Sequence, residues 1–251
     1  MNEKLSRTIK LFLLWGLFYI AAQLVCFVLW RAFKNDEIMK WSLLFGLALI
    51  IFVYFKKHYV KLSFGHIDRR LVWPAVGMAV LIASAFVLAE MSAITLFDLD
   101  HLFPEKTEFQ HETLEHLFVG IAGILNGCVL APIAEEIGFR GILLEGLLKS
   151  RCRPWLAIFI SALVFALAHG FVVIKFVCTL LFGMIIGWLY WRTESIIPCI
   201  LMHIGNNSLS AIDISNQPRA ICWVIFVGSI LLLALGLWWY RKKCKFVNEF
   251  N

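Results

Sequence analysis

The sequence predicts an all-α protein, a polytopic membrane bundle of about eight transmembrane helices, and three observations predict it. Of its 251 residues, 61% are apolar and only 16% charged, whereas soluble domains sit near half apolar and a quarter charged. The apolar residues are gathered into continuous runs, most of them long enough to cross about 30 Å of hydrocarbon at 1.5 Å per helical residue. Those runs do not alternate apolar with polar, which sets aside membrane strands. The formal net charge of +6 does not mark a nucleic-acid binder, because the basic residues cluster beside apolar runs, as juxtamembrane anchors do. The lipid bilayer is the partner that composition implies.

Taken in order, the runs are Leu11–Trp30, Ile38–Phe55, Leu71–Phe97, Leu117–Ala134 with continuation toward Leu148, Pro154–His169, Val172–Trp191, Ile196–Leu209 and Ala220–Tyr240. The first follows Lys4, Arg7 and Lys10 in the manner of a signal peptide. It is too long for a signal h-region and lacks a small-residue cleavage site, so it reads as a retained anchor. The fifth and seventh are short enough to be partial spans. Between the third and fourth, the acidic stretch from Asp98 to Glu115 suggests an amphipathic helix on the outer surface. Trp30, Trp41, Trp188, Tyr190, Trp191, Trp238, Trp239 and Tyr240 fall near run ends, as interfacial aromatic belts do.

With the N-terminus placed in the cytoplasm, the inner segments hold 16 Lys and Arg and the outer segments 6, Arg140 being left aside as intramembrane. The positive-inside rule then puts both termini in the cytoplasm. Seven scattered cysteines with no C-x-x-C pair read as small buried apolar residues, not a disulfide framework or zinc site.

Charges at membrane depth cost roughly 2.5–3.5 kcal/mol each on insertion scales, so those inside the runs point to function. Glu135, Glu136 and Arg140 stand in APIAEEIGFRGILLEG. Positions four apart share a helix face, so Glu136 and Arg140 can pair, while Glu135 is turned about 100° away and is left as the chemically available acid. Pro132 removes a backbone donor and predicts a kink just before the acids. Gly138 and Gly141 leave room for close helix approach. Phe165 with His169, and His203 with Asn207, are likewise four apart. Counted from a turn near Cys152, Glu135 and His169 lie at about the same depth, about 25 Å up, against about 12 Å for His203 counted from a turn near Ser195. A 149–153 turn projecting into the cytoplasm closes the difference and puts the site in the cytoplasmic half of the bilayer. The plainer account of each cluster is structural: an ion-paired knot, a polar helix end, or interhelical hydrogen bonding. For Glu90 and Asn126, which belong to no cluster, the structural account is preferred. Glu145 and Lys149 form a favourable i,i+4 pair at the cytoplasmic end of their helix.

EEIGFRG, FALAH and HIGNN, in that order, resemble the three signature motifs of the CPBP family, the CAAX prenyl proteases and bacteriocin-processing or immunity proteins. The resemblance covers roughly Leu117 to Ser210. It divides the chain into N-terminal helices with an acidic loop (1–116), a catalytic core (117–210) and a C-terminal helix with a basic tail (211–251). It implies an intramembrane endopeptidase in which Glu135 and His169 activate water, and His203 and Asn207 form an oxyanion hole. Glu136, Arg140 and Phe165 would be supporting residues. The chemistry suits those residue types, since a desolvated carboxylate is a better base and fixed donors in low dielectric stabilise an oxyanion.

The resemblance implies no metal or cofactor; a zinc variant would take Glu135, His169 and His203 as ligands with one open position. Two other classes use the same residues. An ion-coupled transporter would relay protons through them, against which stands the absence of an inverted repeat. A non-catalytic immunity or scaffold protein would bind a partner. The expected substrate is a peptide or membrane protein. The compact chain suggests the bacterial type, for which a prenyl group is not required, in a bacterial inner or plasma membrane.

Overall fold

The computed structural model describes residues 3–56, 60, 67–99, 121–210 and 217–243. Most of the predicted amphipathic segment from Asp98 to Glu115 lies outside the described residues. Within them the secondary structure is helical, with no strand. Eight helices follow: α1 Glu3–Phe33, α2 Asp36–Lys56, α3 Val72–Leu96, α4 Ile121–Lys149, α5 Pro154–Ala168, α6 Val173–Thr193, α7 Ile196–Leu209 and α8 Arg219–Lys243. Six are long and apolar enough to cross a membrane. The other two, α5 and α7, have 15 and 14 residues and rise only about 22 Å, short of the roughly 30 Å core. The protein is thus an integral multi-pass membrane protein, and the expectation of about eight spans reduces to six helices of spanning length.

The chain divides into two compact units. The first comprises Met1–Lys61 and Thr107–Ser150, and so holds α1, α2 and α4. Its first connection is short because Lys34 takes a left-handed conformation (φ 48°) and donates its N–H to Trp30 O at 2.6 Å. Asn35 then caps α2, its Oδ1 accepting from the Ile38 N–H. A two-residue link leaves α1 and α2 as antiparallel neighbours, with Gly46 closed down on Ala22.

α1 also runs antiparallel to α4 in constant register. Thr8 lies on Gly146, Trp15 on Gly138, and Tyr19 on Glu135. A Cβ at Gly138 or Gly146 would overlap the α1 side chain, so small residues on α4 set the approach of the two backbones.

The second unit comprises Leu62–Lys106 and Arg151–Asn251 and holds α3 and α5 to α8. α3 and α8 are antiparallel: Tyr240 OH donates to Ala75 O, Gly236 faces Ile82, and Arg219 Nη2 donates to Leu96 O at 2.6 Å. Tyr240 is therefore a buried strut and not a belt residue. It is fully buried, because a phenol with a carbonyl to bond can be packed inside; Tyr190 is only 7% exposed. Gly170 at φ +103° turns the chain from α5 into α6, and Gly183 lets those helices approach closely, since a Cβ there would lie only 3.1 Å from Ala162 Cβ. Glu194, left-handed at φ 49°, ends α6. Ser195 Oγ then accepts from the Ile197 N–H and starts α7.

Candidate active site

The acids lie on α4, which departs from α-helical geometry twice. Leu125–Leu130 and Ile137–Leu144 are π-helical, flanking an α-helical stretch at Ala131–Glu136. Pro132, expected to kink the helix, sits two residues after the end of the first π segment. A proline has no N–H to give, and the widened turns before it absorb the missing bond. The second π segment contains Arg140. π turns concentrate at functional sites because the extra residue re-aims side chains. A single sequence carries no periodicity signal for them, and neither was anticipated.

The two adjacent carboxylates have different partners, as the helical geometry predicted. Arg140 Nη1 donates to Glu136 Oε1 at 3.0 Å, with both side chains 0% exposed. A pair so deeply buried is tolerable only because each charge offsets the other's desolvation. Glu135 is half-buried and points elsewhere, its Oε1 accepting from Tyr19 OH at 2.9 Å.

Tyr19 is a site residue that the sequence reading missed, having taken α1 as an anchor. Trp15, one turn earlier on α1, donates its indole N–H to Ala134 O at 3.0 Å, holding the carbonyl just before Glu135. Its ring lies on Gly138 and within 5.2 Å of Phe139 and 5.3 Å of Phe12, centroid to centroid. Farther up α4, buried Asn126 donates to Lys40 O at 2.7 Å, the structural role expected of it. Glu145 and Lys149 form the expected ion pair at the end of the helix.

In the second unit the imidazoles gather around one ring. His169 caps the C-terminus of α5 at φ −92°, and its Nδ1 lies 2.8 Å from Phe165 O. A carbonyl can only accept, so Nδ1 carries the proton and the lone pair of the neutral ring is on Nε2. The Phe165 ring lies 4.4 Å from the His169 ring, centroid to centroid and tilted by 54°, as the packing shelf predicted from their spacing. His203 of α7, 3% exposed, meets the same Phe165 ring edge-on at 5.6 Å and Phe182 at 5.4 Å.

Phe182 belongs to α6 and packs on Phe86 of α3 at 5.2 Å. Gly205, two residues on from His203, brings α7 down onto Ala83. Asn207 follows His203 by one turn and is half-buried, its Oδ1 3.4 Å from Asn206 Nδ2. Phe182 and Asn206 were not singled out from the sequence. Glu90 of α3, left without a motif, lines the same cavity as the Cys178 thiol of α6.

The structure therefore joins Glu136 with Arg140 and Glu135 with Tyr19 in the first unit. In the second it joins Phe165, His169 and His203. Residues 116–209 match the family model described as Type II CAAX prenyl endopeptidase Rce1-like. No curated protein matches the chain. The matched stretch contains all seven residues singled out from the motifs, while Tyr19 and Trp15 lie outside it.

Proposed function

We propose, with the stretch 116–209 assigned to the CPBP family of membrane proteases as the premise, that this protein is an intramembrane endopeptidase of the glutamate type. Its substrate is a peptide or membrane protein, cut near the cytoplasmic side of the bilayer. The observation that carries the reading is the division of labour between adjacent acids. Glu136 is neutralised by Arg140 within α4, whereas Glu135 is held by a neutral phenol and retains a carboxylate suited to proton transfer. A carboxylate at membrane depth is a functional group by default.

In the proposed reaction, water attacks the scissile carbonyl as Glu135 takes its proton, with His169 orienting the nucleophile through Nε2. Negative charge moves onto the carbonyl oxygen, where His203 and Asn207 donate hydrogen bonds. Such donors, fixed in low dielectric, contribute most to rate when charge develops. The proton then passes to the departing amine as the C–N bond breaks. The rings around His203, Phe165 and Phe182, support this role because they hold the imidazole in one orientation. Glu136, Arg140 and Phe165 brace the acid and the base.

We place both termini in the cytoplasm, from the excess of Lys and Arg in the inner segments. The chemistry assigned here to Glu135, His169, His203 and Asn207 uses no metal; full activity in chelator, with no metal found by elemental analysis, is the expected result. The deciding experiment compares peptide termini in membranes carrying wild-type protein or Glu135→Gln. Termini present in the first and missing in the second, at equal protein abundance, support the protease. Identical termini would favour a partner-binding protein of the immunity or scaffold kind, and proton-coupled solute flux that Glu135→Gln abolishes would favour a transporter.

A further inference from the structure

The second unit contains a cavity of about 1040 Å³ framed by α3, α6 and α8. That matches the upper end of ligand pockets, about 300–1,000 Å³. None of the proposed catalytic residues lines it. Its two ends differ chemically. At one lie Glu90 and Cys178; at the other lie Arg192 and Arg241. From Cys178 to Arg192 is 14 residues along α6, about 21 Å of helix. That exceeds one leaflet, roughly half of the 30 Å core.

Between the ends the lining is apolar, including Met184, Ile185 and Leu233, and Trp188 and Trp238 stand toward the arginine end. Trp238 and Leu181 are 54% and 51% exposed, so the cavity is a groove open along its flank.

The arginine end is built with some care. Arg192 is 7% exposed, and its Nη2 donates to the carbonyl of Arg241 at 2.6 Å. A buried guanidinium thereby caps the C-terminus of α8 and stays fixed beside the groove, as cations at helix C-termini do. The exposed Arg241 side chain adds a second guanidinium at the same end. An apolar channel deeper than one leaflet, closed at its interfacial end by two guanidiniums, is complementary to an amphiphile with an anionic head. Arginine forks match phosphate in two-point hydrogen bonding, and basic pockets between membrane helices hold anionic lipid heads.

The geometry points to a resident anionic phospholipid. Its phosphate lies at Arg192 and Arg241 and one acyl chain runs along α6 and α8 toward Cys178. The lipid fills the face of the second unit between α3, α6 and α8 and ties the C-terminal ends of α6 and α8 together. It occupies a place separate from the groups proposed for hydrolysis. The inference does not rest on the chain being a protease, since it needs only that the second unit sits in a bilayer.

The test uses the full chain, delipidated in neutral detergent, then supplied with phosphatidylglycerol or phosphatidylcholine and examined by native mass spectrometry. The expected result is one retained phosphatidylglycerol, bound at least tenfold more tightly than phosphatidylcholine. Arg241→Gln should reduce that preference about fivefold, the effect of one interfacial basic residue. Lys242→Gln, which changes an exposed charge in the same turn outside the groove, should leave it intact. Ala234→Trp, filling the channel, should displace both lipids. Equal binding of the two lipids by the wild type would overturn the inference and leave Arg192 as a helix cap alone. Equal losses in Arg241→Gln and Lys242→Gln would also overturn it, since they mean diffuse attraction to anionic surfaces.

Discussion

The acid-bearing helix and the imidazole-bearing helices are held by different forces. α4 in the first unit is bound by polar bonds of long sequence reach, Trp15 to Ala134 and Tyr19 to Glu135, and by glycine contacts that admit bulky α1 side chains. The imidazoles of α5 and α7 pack on the rings of Phe165 and Phe182, with His169 Nδ1 also bonded to Phe165 O. The contrast follows from charge. A buried carboxylate needs a donor or a cation, because its desolvation cost is large. A neutral imidazole needs only one hydrogen bond to fix its tautomer and a wall to fix its plane. The acid half should therefore fail by losing partners, and the imidazole half by losing shape.

The largest effect should come from the two groups proposed to activate water. Glu135→Gln and His169→Ala should each lower the cleavage rate by about 10²–10⁴-fold, with purification yield and thermal midpoint unchanged. A rate within threefold of wild type for either would remove that residue from the chemistry. Next, Arg140→Met leaves Glu136 buried without its cation and should destabilise the protein by about 3–5 kcal/mol. Adding Glu136→Leu should recover most of that loss in the same detergent unfolding assay. A double variant as unstable as the single one would mean that Arg140 acts through other contacts.

Tyr19→Phe removes one hydrogen bond to a carboxylate and should lower kcat about tenfold while KM changes little. An equal loss in the thermal midpoint would instead make Tyr19 a packing residue. Phe165→Leu tests the other half: it keeps an apolar side chain but removes the shelf, costing about 1 kcal/mol beyond the lost area. It should lower kcat several-fold without altering expression. The smallest effect should be Lys149→Ala, within about 0.5 kcal/mol, since that pair is exposed.

Much of this was legible in the chain, for identifiable reasons. Helix limits followed from hydropathy: Ile196–Leu209 was placed to the residue, and α6 within two. The separate partners of Glu135 and Glu136 followed from a rotation of about 100° per residue. What escaped was non-local or aperiodic. Tyr19 is 116 positions from Glu135 and sits in a run whose composition suggests only an anchor. The π segments leave little mark on the apolar pattern, since most positions in and around them are apolar. Tyr240 was misplaced because a tyrosine at a run end has two uses, an interfacial anchor or a buried strut, and only its bond to Ala75 distinguishes them.

The register between α1 and α4 also bears on how the protein is made. Trp15 and Ala134 are 119 residues apart, so α1 leaves the ribosome well before the helix it must embrace. At 5–20 residues per second that interval is roughly 6 to 24 s. During it, the groove-filling face of α1 has only lipid, or the helices made in between, to lie against. Deleting α1 should therefore do more than remove an anchor: the glycine-lined face of α4 would arrive in the membrane with nothing waiting for it.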